Sequence, residues 1–435
     1  MNTIELLGEK ETFKNIVEHT ITEFEDNEIE VIGNFAFSSC NALTRVSFPV
    51  ATSIGMAAFG SCSALTSVSF PVATSIGVNA FFGCNALKSI DFPLVTSIGD
   101  NAFVSCSSLT EVFFPKATSI GRSSFNGCSK LTSVSLPEVT RIEDTFQDFS
   151  SLTEVSLPKV ISIGTFAFQN CSGLTEVSFP VATSIGERAF EGCSGLTKVT
   201  EASFPVATSI GNYAFQSCGG LTSVSFPEVT SIGDYAFNGC NKLTSVSFPL
   251  ATSISEYAFR SCSKLTEVSF PEATRIWHYA FRDCTGLTKV SFPKVMMSIG
   301  LGVFDSCSSL TSASFSNAMS VGVSMFSDCT SLTEVSFPLA SNIYDYAFQG
   351  CSSLTEVSFP KATSIGQEAF RSCSNLTTIY VGTNTSKVCT LSNINAFTGC
   401  TNLTNIYVPA SLVDSYKSDA KWSSYADKIK AYTVV

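Results

Sequence analysis

A phrase of about 22 residues recurs along almost the whole chain, and this repetition constrains the fold more than any other feature. Residues 47–77, SFPVATSIGMAAFGSCSALTSVSFPVATSIG, contain the phrase nearly twice. A fixed period of this length is typical of solenoids, in which each repeat forms one supersecondary unit. The 435 residues are therefore predicted to form one elongated array. The repeats begin at Ile21, Leu43, Leu65, Leu87, Leu109, Leu131, Leu152, Leu174, Leu196, Leu221, Leu243, Leu265, Leu287, Leu310, Leu332, Leu354 and Leu376, with a half repeat at Leu403.

Each repeat reads L-T-x-V-S-F-P-x-A-T-S-I-G-x-x-A-F-x-x-C-x-x and predicts one coil of a solenoid. In LTSVSF, Val68 and Phe70 alternate with serines, which is the period-two pattern of a strand with one buried face. Pro71 ends this strand because proline cannot donate to a continuing ladder. Gly77 permits a turn on the opposite side. The A-F-x-x-C spacing of residues 80–84 predicts one short helical or 3-10 turn that faces the core.

A single coil buries too few apolar side chains to offset the conformational entropy lost on ordering it, so neighbouring coils have to stack. We therefore predict a right-handed solenoid of about 17 turns, with a parallel β-sheet on one side and caps at both ends. The predicted parts are an N-terminal cap at 1–20, the solenoid at 21–408 and a helical C-terminal cap at 409–435. The residues expected to seal the ends are Phe13, Ile16, Val17, Leu412, Tyr416, Trp422, Tyr425 and Ile429.

The L-x-x-V-x-F-P strand, the following S-I-G and the A-F-x-x-C segment together resemble the BspA-like family of leucine-rich repeats, over about residues 21–408. The resemblance implies a leucine-rich repeat solenoid. It also implies a surface protein of the kind found in bacteria and parasitic protozoa, where such proteins are linked to adhesion and host-protein binding. A solenoid scaffold does not itself determine a ligand.

Composition and charge argue against several classes of partner. The formal net charge is −11, with only 14% charged residues, so neither nucleic acid nor an acidic membrane surface is expected as a partner. No apolar run approaches the ~20 residues that span a bilayer, so no membrane insertion is expected. The opening residues, MNTIELLGEK, lack the basic start and apolar core of a signal peptide, which counts against export of the chain as written.

Sixteen of the 17 cysteines occupy the same position of the repeat. Their side chains would point the same way, about one strand spacing apart, which is too far for disulfides and does not converge on a metal ion. We predict a ladder of buried thiols, and neither metal nor cofactor. Cys389 lies outside this pattern in the insertion 380–393 and is predicted to be the reactive thiol. That insertion is either tolerated surface variation or a binding loop.

The chain has two histidines, His19 and His278, which are far apart in the array. A Ser-His-Asp or Cys-His site would need one of them, and neither lies in a catalytic motif. The glycines recur once per coil as turn residues, so they do not form a phosphate-binding loop. The chain is therefore predicted not to be an enzyme, and a hydrolase that uses a serine and His278 is the alternative from the enzyme class.

A column of tyrosines precedes the A-F pair in four consecutive coils. Stacked coils would place these rings side by side, next to a tryptophan that replaces the usual glycine. Aromatic and arginine side chains are enriched in interface hot spots, so we predict a binding surface here. The alternative is that each tyrosine only covers the phenylalanine beneath it. The predicted surface contains Tyr213, Tyr235, Tyr257, Trp277, His278, Tyr279, Arg260, Arg275 and Arg282.

The outward positions of the strand predict a flat, hydroxyl-rich face suited to broad, weak contacts or only to solubility. These features favour a non-enzymatic recognition or adhesion protein that binds a host or cell-surface protein or a glycan, placed outside the cell or on its surface. A receptor-binding component of a phage or prophage tail is an alternative that needs no signal peptide.

Overall fold

The structure is a computed structural model that describes residues 21–199, 203–296 and 298–432. The chain divides into two compact units, Met1–Leu221 and Thr222–Val435. Both units are built from the same coil, so the predicted leucine-rich repeat solenoid with parallel sheets is confirmed. The coils number about 18.

Most coils contribute two short parallel strands rather than the single strand that the sequence predicted; the coil that begins at Leu174 has only the return strand. The forward strand is the x-V-S segment, in which the central apolar residue faces inward, and the return strand is the S-I segment. Val46 pairs with Val68 in the forward ladder, and Ile54 pairs with Ile76 in the return ladder. Successive coils thus add parallel strands on both sides of the stack, where they form short sheets of three to five strands.

In the first unit the forward strands are β1 (Glu23–Glu25), β3 (Arg45–Ser47), β5 (Ser67–Ser69), β7 (Ser89–Asp91), β9 (Glu111–Phe113), β11 (Ser133–Ser135), β13 (Glu154–Ser156) and β16 (Lys198–Val199). The return strands are β2 (Val31–Ile32), β4 (Ser53–Ile54), β6 (Ser75–Ile76), β8 (Ser97–Ile98), β10 (Ser119–Ile120), β12 (Arg141–Ile142), β14 (Ser162–Ile163), β15 (Ser184–Ile185) and β17 (Ser209–Ile210).

In the second unit the forward strands are β18 (Ser223–Ser225), β20 (Ser245–Ser247), β22 (Glu267–Ser269), β24 (Lys289–Ser291), β26 (Ser312–Ser314), β28 (Glu334–Ser336), β30 (Glu356–Phe359), β32 (Thr378–Val381) and β34 (Asn405–Pro409). The return strands are β19 (Ser231–Ile232), β21 (Ser253–Ile254), β23 (Arg275–Ile276), β25 (Ser298–Ile299), β27 (Ser320–Val321), β29 (Asn342–Ile343), β31 (Ser364–Ile365) and β33 (Thr390–Leu391). A final strand, β35 (Ile429–Tyr432), pairs in parallel with β34.

The A-F-x-x-C segment is not helical, which differs from the expectation. Among the described residues 21–393 it is a run of turns, in which the residue before A-F and the residue before the cysteine have left-handed backbones. In one coil these are Asn79 (φ 56°) and Gly83 (φ 73°). Two left-handed residues in seven turn the chain more sharply than a helix does, so the phenylalanine and the cysteine both point inward.

Two columns of phenylalanine fill the core. Phe81 stacks on Phe59 with ring centroids 5.3 Å apart, and Phe92 stacks on Phe70 at 5.6 Å. Threonine hydroxyls tie the coils together at the surface; for example, Thr66 Oγ1 donates to the Thr44 carbonyl at 2.9 Å. Since each ring and hydroxyl contacts the equivalent residue of the next coil, stability comes from the interfaces between neighbouring coils.

The predicted N-terminal cap, with Phe13, Ile16 and Val17, lies outside the described residues. The C-terminal segment contains 3-10 turns at Ile394–Phe397, Ala410–Leu412 and Trp422–Tyr425, and the helix α1 (Val413–Ser418). Three of the five residues predicted to seal this end are buried, namely Tyr416, Trp422 and Ile429. Ile429 lies in the strand β35 and not in a helix, because its ladder with β34 continues the forward sheet.

Candidate functional site

The tyrosine column occupies a backbone position that tyrosine disfavours. Tyr235, Tyr257 and Tyr279 have φ values of 56°, 54° and 55°. Other coils fill the same left-handed position with small or polar residues and also with larger ones, namely Phe35, Ala57, Asn79, Asn101, Ser123, Asp144, Phe166, Arg188, Gly302, Ser324 and Glu368. For an ordinary L-residue, the left-handed region costs roughly 1–2 kcal/mol, and asparagine and glycine tolerate it best. The fold therefore does not select tyrosine here, which points to a role beyond packing.

Tyr235, Tyr257 and Tyr279 form a continuous stack, which we call the tyrosine ladder. The centroids of Tyr235 and Tyr257 are 4.6 Å apart at an interplanar angle of 18°, and those of Tyr257 and Tyr279 are 5.1 Å apart at 16°. All three side chains are half-buried. The absent Cβ of Gly302 leaves room for the ring of Tyr279. The ladder thus presents ring edges to solvent, since neighbouring rings cover each other's faces.

Arginines flank the ladder three residues after each of two tyrosines. Arg260 lies over the ring of Tyr257, with its guanidinium carbon 5.6 Å from the centroid, and Arg282 lies 5.3 Å from the centroid of Tyr279. These distances suit cation–π contacts. The stack therefore has an aromatic centre and a cationic side.

Two aspartates lie close to these arginines: Asp283 in the neighbouring column, and Asp305 in the same column as the arginines. Arg260 Nε is 3.5 Å from Asp283 Oδ2, and Arg282 Nε is 3.2 Å from Asp305 Oδ2. Desolvation raises the pKa of the Asp305 carboxyl, and the neighbouring Ser306 and Arg282 partly offset that rise. Such partly exposed pairs add little stability, so their main effect is to orient the guanidinium groups.

Tyr213 belongs to the first unit and has its own cationic partner. Its φ is 58°, and the guanidinium carbon of Arg188 lies 4.6 Å from its ring centroid. Arg188 is also 6.0 Å from the ring of Phe166 in the preceding coil. The first unit therefore also combines aromatic rings with an arginine, although here the arginine lies in the aromatic column itself.

Trp277, His278 and Arg275 lie in other columns and form a separate feature beside the ladder. Among the described residues, no aromatic contact joins Trp277 to a tyrosine of the ladder. A crevice of about 160 Å³ is lined by Arg275, Ile276, Trp277, His278, Ile299 and Gly300. Of the eight predicted residues in the second unit, the structure thus places five in the group formed by the ladder, Arg260 and Arg282, and three in this crevice.

The Nδ1 atom of His278 accepts a hydrogen bond from the Leu301 backbone N–H at 2.8 Å. Asp234 and Asp345 make the same contact with the following coil through carboxylate oxygens. His278 therefore serves as a structural acceptor in its column. His19 lies outside the described residues. Within the described ranges, no cluster of three or more His, Cys, Asp or Glu is arranged to hold a metal ion.

The column cysteines are buried, apart from the half-buried Cys400. At least fourteen of the sixteen donate to the phenylalanine carbonyl of the preceding coil; for example, Cys84 Sγ is 3.1 Å from the Phe59 oxygen. Burial raises the pKa of the Cys84 thiol to about 12. These side chains act as small packing groups with a satisfied donor.

The expectation that Cys389 is a reactive thiol is corrected by its environment. Cys389 is buried, and burial raises its pKa to about 12. Its backbone N–H donates to the hydroxyl of Tyr416 at 2.8 Å, and its carbonyl accepts from Trp422 Nε1 at 2.6 Å. A reactive thiol needs exposure and a lowered pKa, and Cys389 has neither. The insertion 380–393 anchors the C-terminal segment at this residue.

The forward strands carry two concave surfaces. In the second unit, a cavity of about 480 Å³ is lined by β20 and β22 together with Val224, Thr288 and Lys289. In the first unit, a cavity of about 300 Å³ lies beside the exposed Phe113. Three serines line the larger cavity and one serine lines the smaller. Both cavities lie on the face that the sequence predicted to be hydroxyl-rich. Further along the forward strands of the second unit, this face also carries aromatic rings, because Tyr380 stacks on Tyr407 with ring centroids 5.0 Å apart.

Sequence reasoning missed Tyr344, Asp283 and Asp305. Tyr344 replaces the glycine of its coil, as Trp277 does, and is 48% exposed. A comparison of every residue in the glycine column would have found it. The aspartates become informative only when their contacts with the arginines are known.

The model of the BspA type leucine rich repeat region matches six times, at residues 8–132, 52–161, 140–252, 208–333, 252–361 and 320–420. No curated protein matches significantly. Among the described residues, no helix has the length and apolarity needed to cross a bilayer.

Several solved structures of leucine-rich repeat proteins are similar to this chain. A leucine-rich repeat protein from Bacteroides ovatus is 24% identical, with 94% of this chain and 92% of that chain covered and a TM-score of 0.47. A leucine rich cell surface protein from Faecalibacterium prausnitzii is 21% identical, with 95% and 92% covered and a TM-score of 0.30. Since the family model covers almost the whole chain, the protein belongs to the BspA-type leucine-rich repeat family, whose members are commonly surface proteins that bind other proteins.

Proposed function

We propose that this chain is a non-enzymatic recognition or adhesion protein that acts outside the cell or on its surface, and that its tyrosine ladder contacts a host or cell-surface protein. The observation that carries the proposal is the tyrosine column itself. Three successive tyrosines keep a left-handed backbone that costs stability, although asparagine fills the same position elsewhere in the chain. Residues that are unfavourable for the fold and form an exposed cluster are candidates for function.

The geometry of the ladder favours a protein over a glycan as its ligand. A sugar ring stacks on an open aromatic face, whereas both faces of Tyr257 lie against neighbouring rings and Tyr235 and Tyr279 each have one face covered by Tyr257. The ladder offers ring edges and oriented guanidinium groups instead. Tyrosine and arginine in a preorganised, half-buried arrangement are the side chains that dominate protein–protein hot spots.

The test replaces Tyr235 and Tyr257 by asparagine. Relief of the left-handed strain, roughly 1 kcal/mol per residue, offsets the loss of ring stacking, about 0.5–1.5 kcal/mol per pair. We therefore expect the melting temperature to change little. Binding to the partner found on an array of extracellular proteins and glycans should fall at least roughly thirtyfold, since loss of a hot-spot residue costs about 2 kcal/mol.

Ser324→Asn is the matched control, because Ser324 has the same left-handed position (φ 50°) outside the ladder. It should leave both binding and the melting temperature unchanged. Undiminished binding by the double variant would show that the ladder is not the contact surface. A large fall in its melting temperature would show that the tyrosines only cover the core.

A further inference from the structure

The crevice beside Trp277 is an apolar recess on an otherwise polar side of the coil stack. Most coils have threonine, serine and glycine along the return strand, whereas here Trp277 is 46% exposed. Ile299, whose equivalents are almost all buried, is half-exposed in this crevice. Leu301 and Met319 in the next two coils are 39% and 42% exposed. Exposed apolar surface concentrated in this way marks interaction sites.

Glycine keeps the recess open. A Cβ built on Gly300 would collide with the backbone of Trp277 and His278, so no side chain can fill the floor from this position. Trp277 still makes the hydrogen bond of the repeat, because its N–H donates to the Ile254 carbonyl at 2.9 Å. The indole therefore forms a wall of the crevice without disturbing the coil.

The crevice has the size of one aromatic side chain. Its volume is about 160 Å³, and an apolar protein cavity of about 150 Å³ is known to hold benzene. Its lining is largely apolar, with the imidazole of His278 held by Leu301. A phenylalanine-sized group from a partner would fill this space.

Arg275 adds a charge to the edge of the crevice. It replaces the serine that most return strands carry, its side chain is exposed, and it forms no ion pair or hydrogen bond among the described residues. In contrast, Arg260 and Arg282 already have aspartate partners. An unpaired guanidinium next to an apolar pocket attracts a carboxylate that arrives together with an apolar group.

From these observations we infer that the Trp277 crevice binds an acidic peptide segment of the partner. An aromatic side chain of that segment enters the crevice, and an adjacent Asp or Glu pairs with Arg275. This inference rests on the proposed function, because it names the chemistry of a protein partner that binds the same side of the molecule. It concerns residues that the tyrosine ladder does not include.

Three short Gly/Ser peptides test the inference, with Phe–Asp, Phe–Lys or Ala–Asp at their centres. Binding is followed by the fluorescence of Trp277; the other tryptophan, Trp422, is fully buried and gives a constant background. The Phe–Asp peptide should bind saturably at physiological salt. The other two should bind at least roughly tenfold more weakly, since each lacks one of the two contacts.

Arg275→Ser and Trp277→Gly restore the residues that other coils carry at these positions, so both variants are expected to fold. Arg275→Ser should remove the preference for the Phe–Asp peptide over the Phe–Lys peptide. Trp277→Gly should abolish the binding of both peptides; calorimetry measures it, because this variant lacks the fluorescent Trp277. Arg141→Ser is the control, because Arg141 occupies the same column in the first unit, where a glutamate follows Ile142. It should leave the Phe–Asp affinity unchanged.

Equal affinity for Phe–Asp and Phe–Lys, no effect of Arg275→Ser, or no binding of any peptide would overturn the inference. None of these results depends on the ladder, because the peptides are too short to reach from the crevice across several tyrosines. Conversely, peptide binding at the crevice with undiminished partner binding by the Tyr235→Asn, Tyr257→Asn variant would contradict only the role proposed for the ladder.

Discussion

Raising the pH above 9 in the presence of a reductant is expected to unfold the protein in one steep transition. The cause is the column of buried thiols. A cysteine ionises near 9.0 in the unfolded chain, whereas burial raises the pKa of Cys84 and of Cys171 to about 12 in the folded protein. The same direction of shift applies to Cys62, Cys106, Cys193, Cys262, Cys284, Cys307, Cys329, Cys351, Cys373 and Cys389.

The sign of the effect follows from proton linkage. Because the pKa of each thiol is higher in the folded state, the folded chain holds more protons than the unfolded chain between pH 9 and about 12. The free energy of unfolding then falls with rising pH, by about 1.4 kcal/mol per pH unit for each such thiol. For the twelve thiols whose pKa is raised, the loss amounts to about 17 kcal/mol per pH unit above pH 9, which exceeds the 5–15 kcal/mol of a typical domain.

Far-ultraviolet circular dichroism and thiolate absorbance, recorded in the same titration, measure this effect. The two signals should change together above pH 9, with the release of several protons per cooperative step. A urea-unfolded sample gives the reference titration of free thiols. Thiolates that appear near pH 9 in a chain that keeps its folded dichroism would contradict the buried ladder.

Phe103→Ala is expected to destabilise the first unit by about 3–5 kcal/mol, the usual cost of deleting a buried phenyl ring. Phe103 is fully buried and stacks on Phe81 at 5.2 Å and on Phe125 at 5.4 Å. The loss affects contacts with both neighbouring coils, so unfolding in urea should begin at a lower concentration. Urea titrations of the variant and the unaltered chain give the difference.

Phe113→Ser is the matched control ten residues further along the chain. Phe113 is 60% exposed and occupies an outward column that holds serine in the next coil, at Ser135. Its replacement should change the stability by no more than about 0.5 kcal/mol. Similar losses for the two variants would mean that the phenylalanine columns do not carry the stability of the stack.

The fold was predictable because the same residue pattern recurs from coil to coil, so the pattern of one coil predicts the structure of the others. The alternation of Val68 and Phe70 with serines indicated the forward strand, and the common spacing of the cysteines indicated a buried column. The turn segment was misjudged, because A-F-x-x-C has a spacing that suits a helical turn. Left-handed residues such as Ser61 and Asp283 carry no sequence signal as clear as glycine does.

The candidate site was only partly predictable. The tyrosine column is visible in the sequence, but its left-handed backbone and the covered ring faces emerge only from the coil geometry. The prediction that Cys389 is a reactive thiol was wrong for a similar reason. The sequence around Cys389 is polar and indicates an exposed loop, but Tyr416 and Trp422, which lie more than 25 residues later in the chain, cover this residue.

We propose that the repeated residues stabilise the coil stack, whereas the residues from Tyr235 to Tyr279 that depart from the repeat bind the partner. One variant tests this most directly, in which Tyr235, Tyr257 and Tyr279 become asparagine, Arg275 becomes serine and Trp277 becomes glycine. Its melting temperature and its affinity for the partner are measured beside those of the unaltered chain. We predict an unchanged or higher melting temperature and a complete loss of binding, whereas a lower melting temperature with binding retained would contradict the claim.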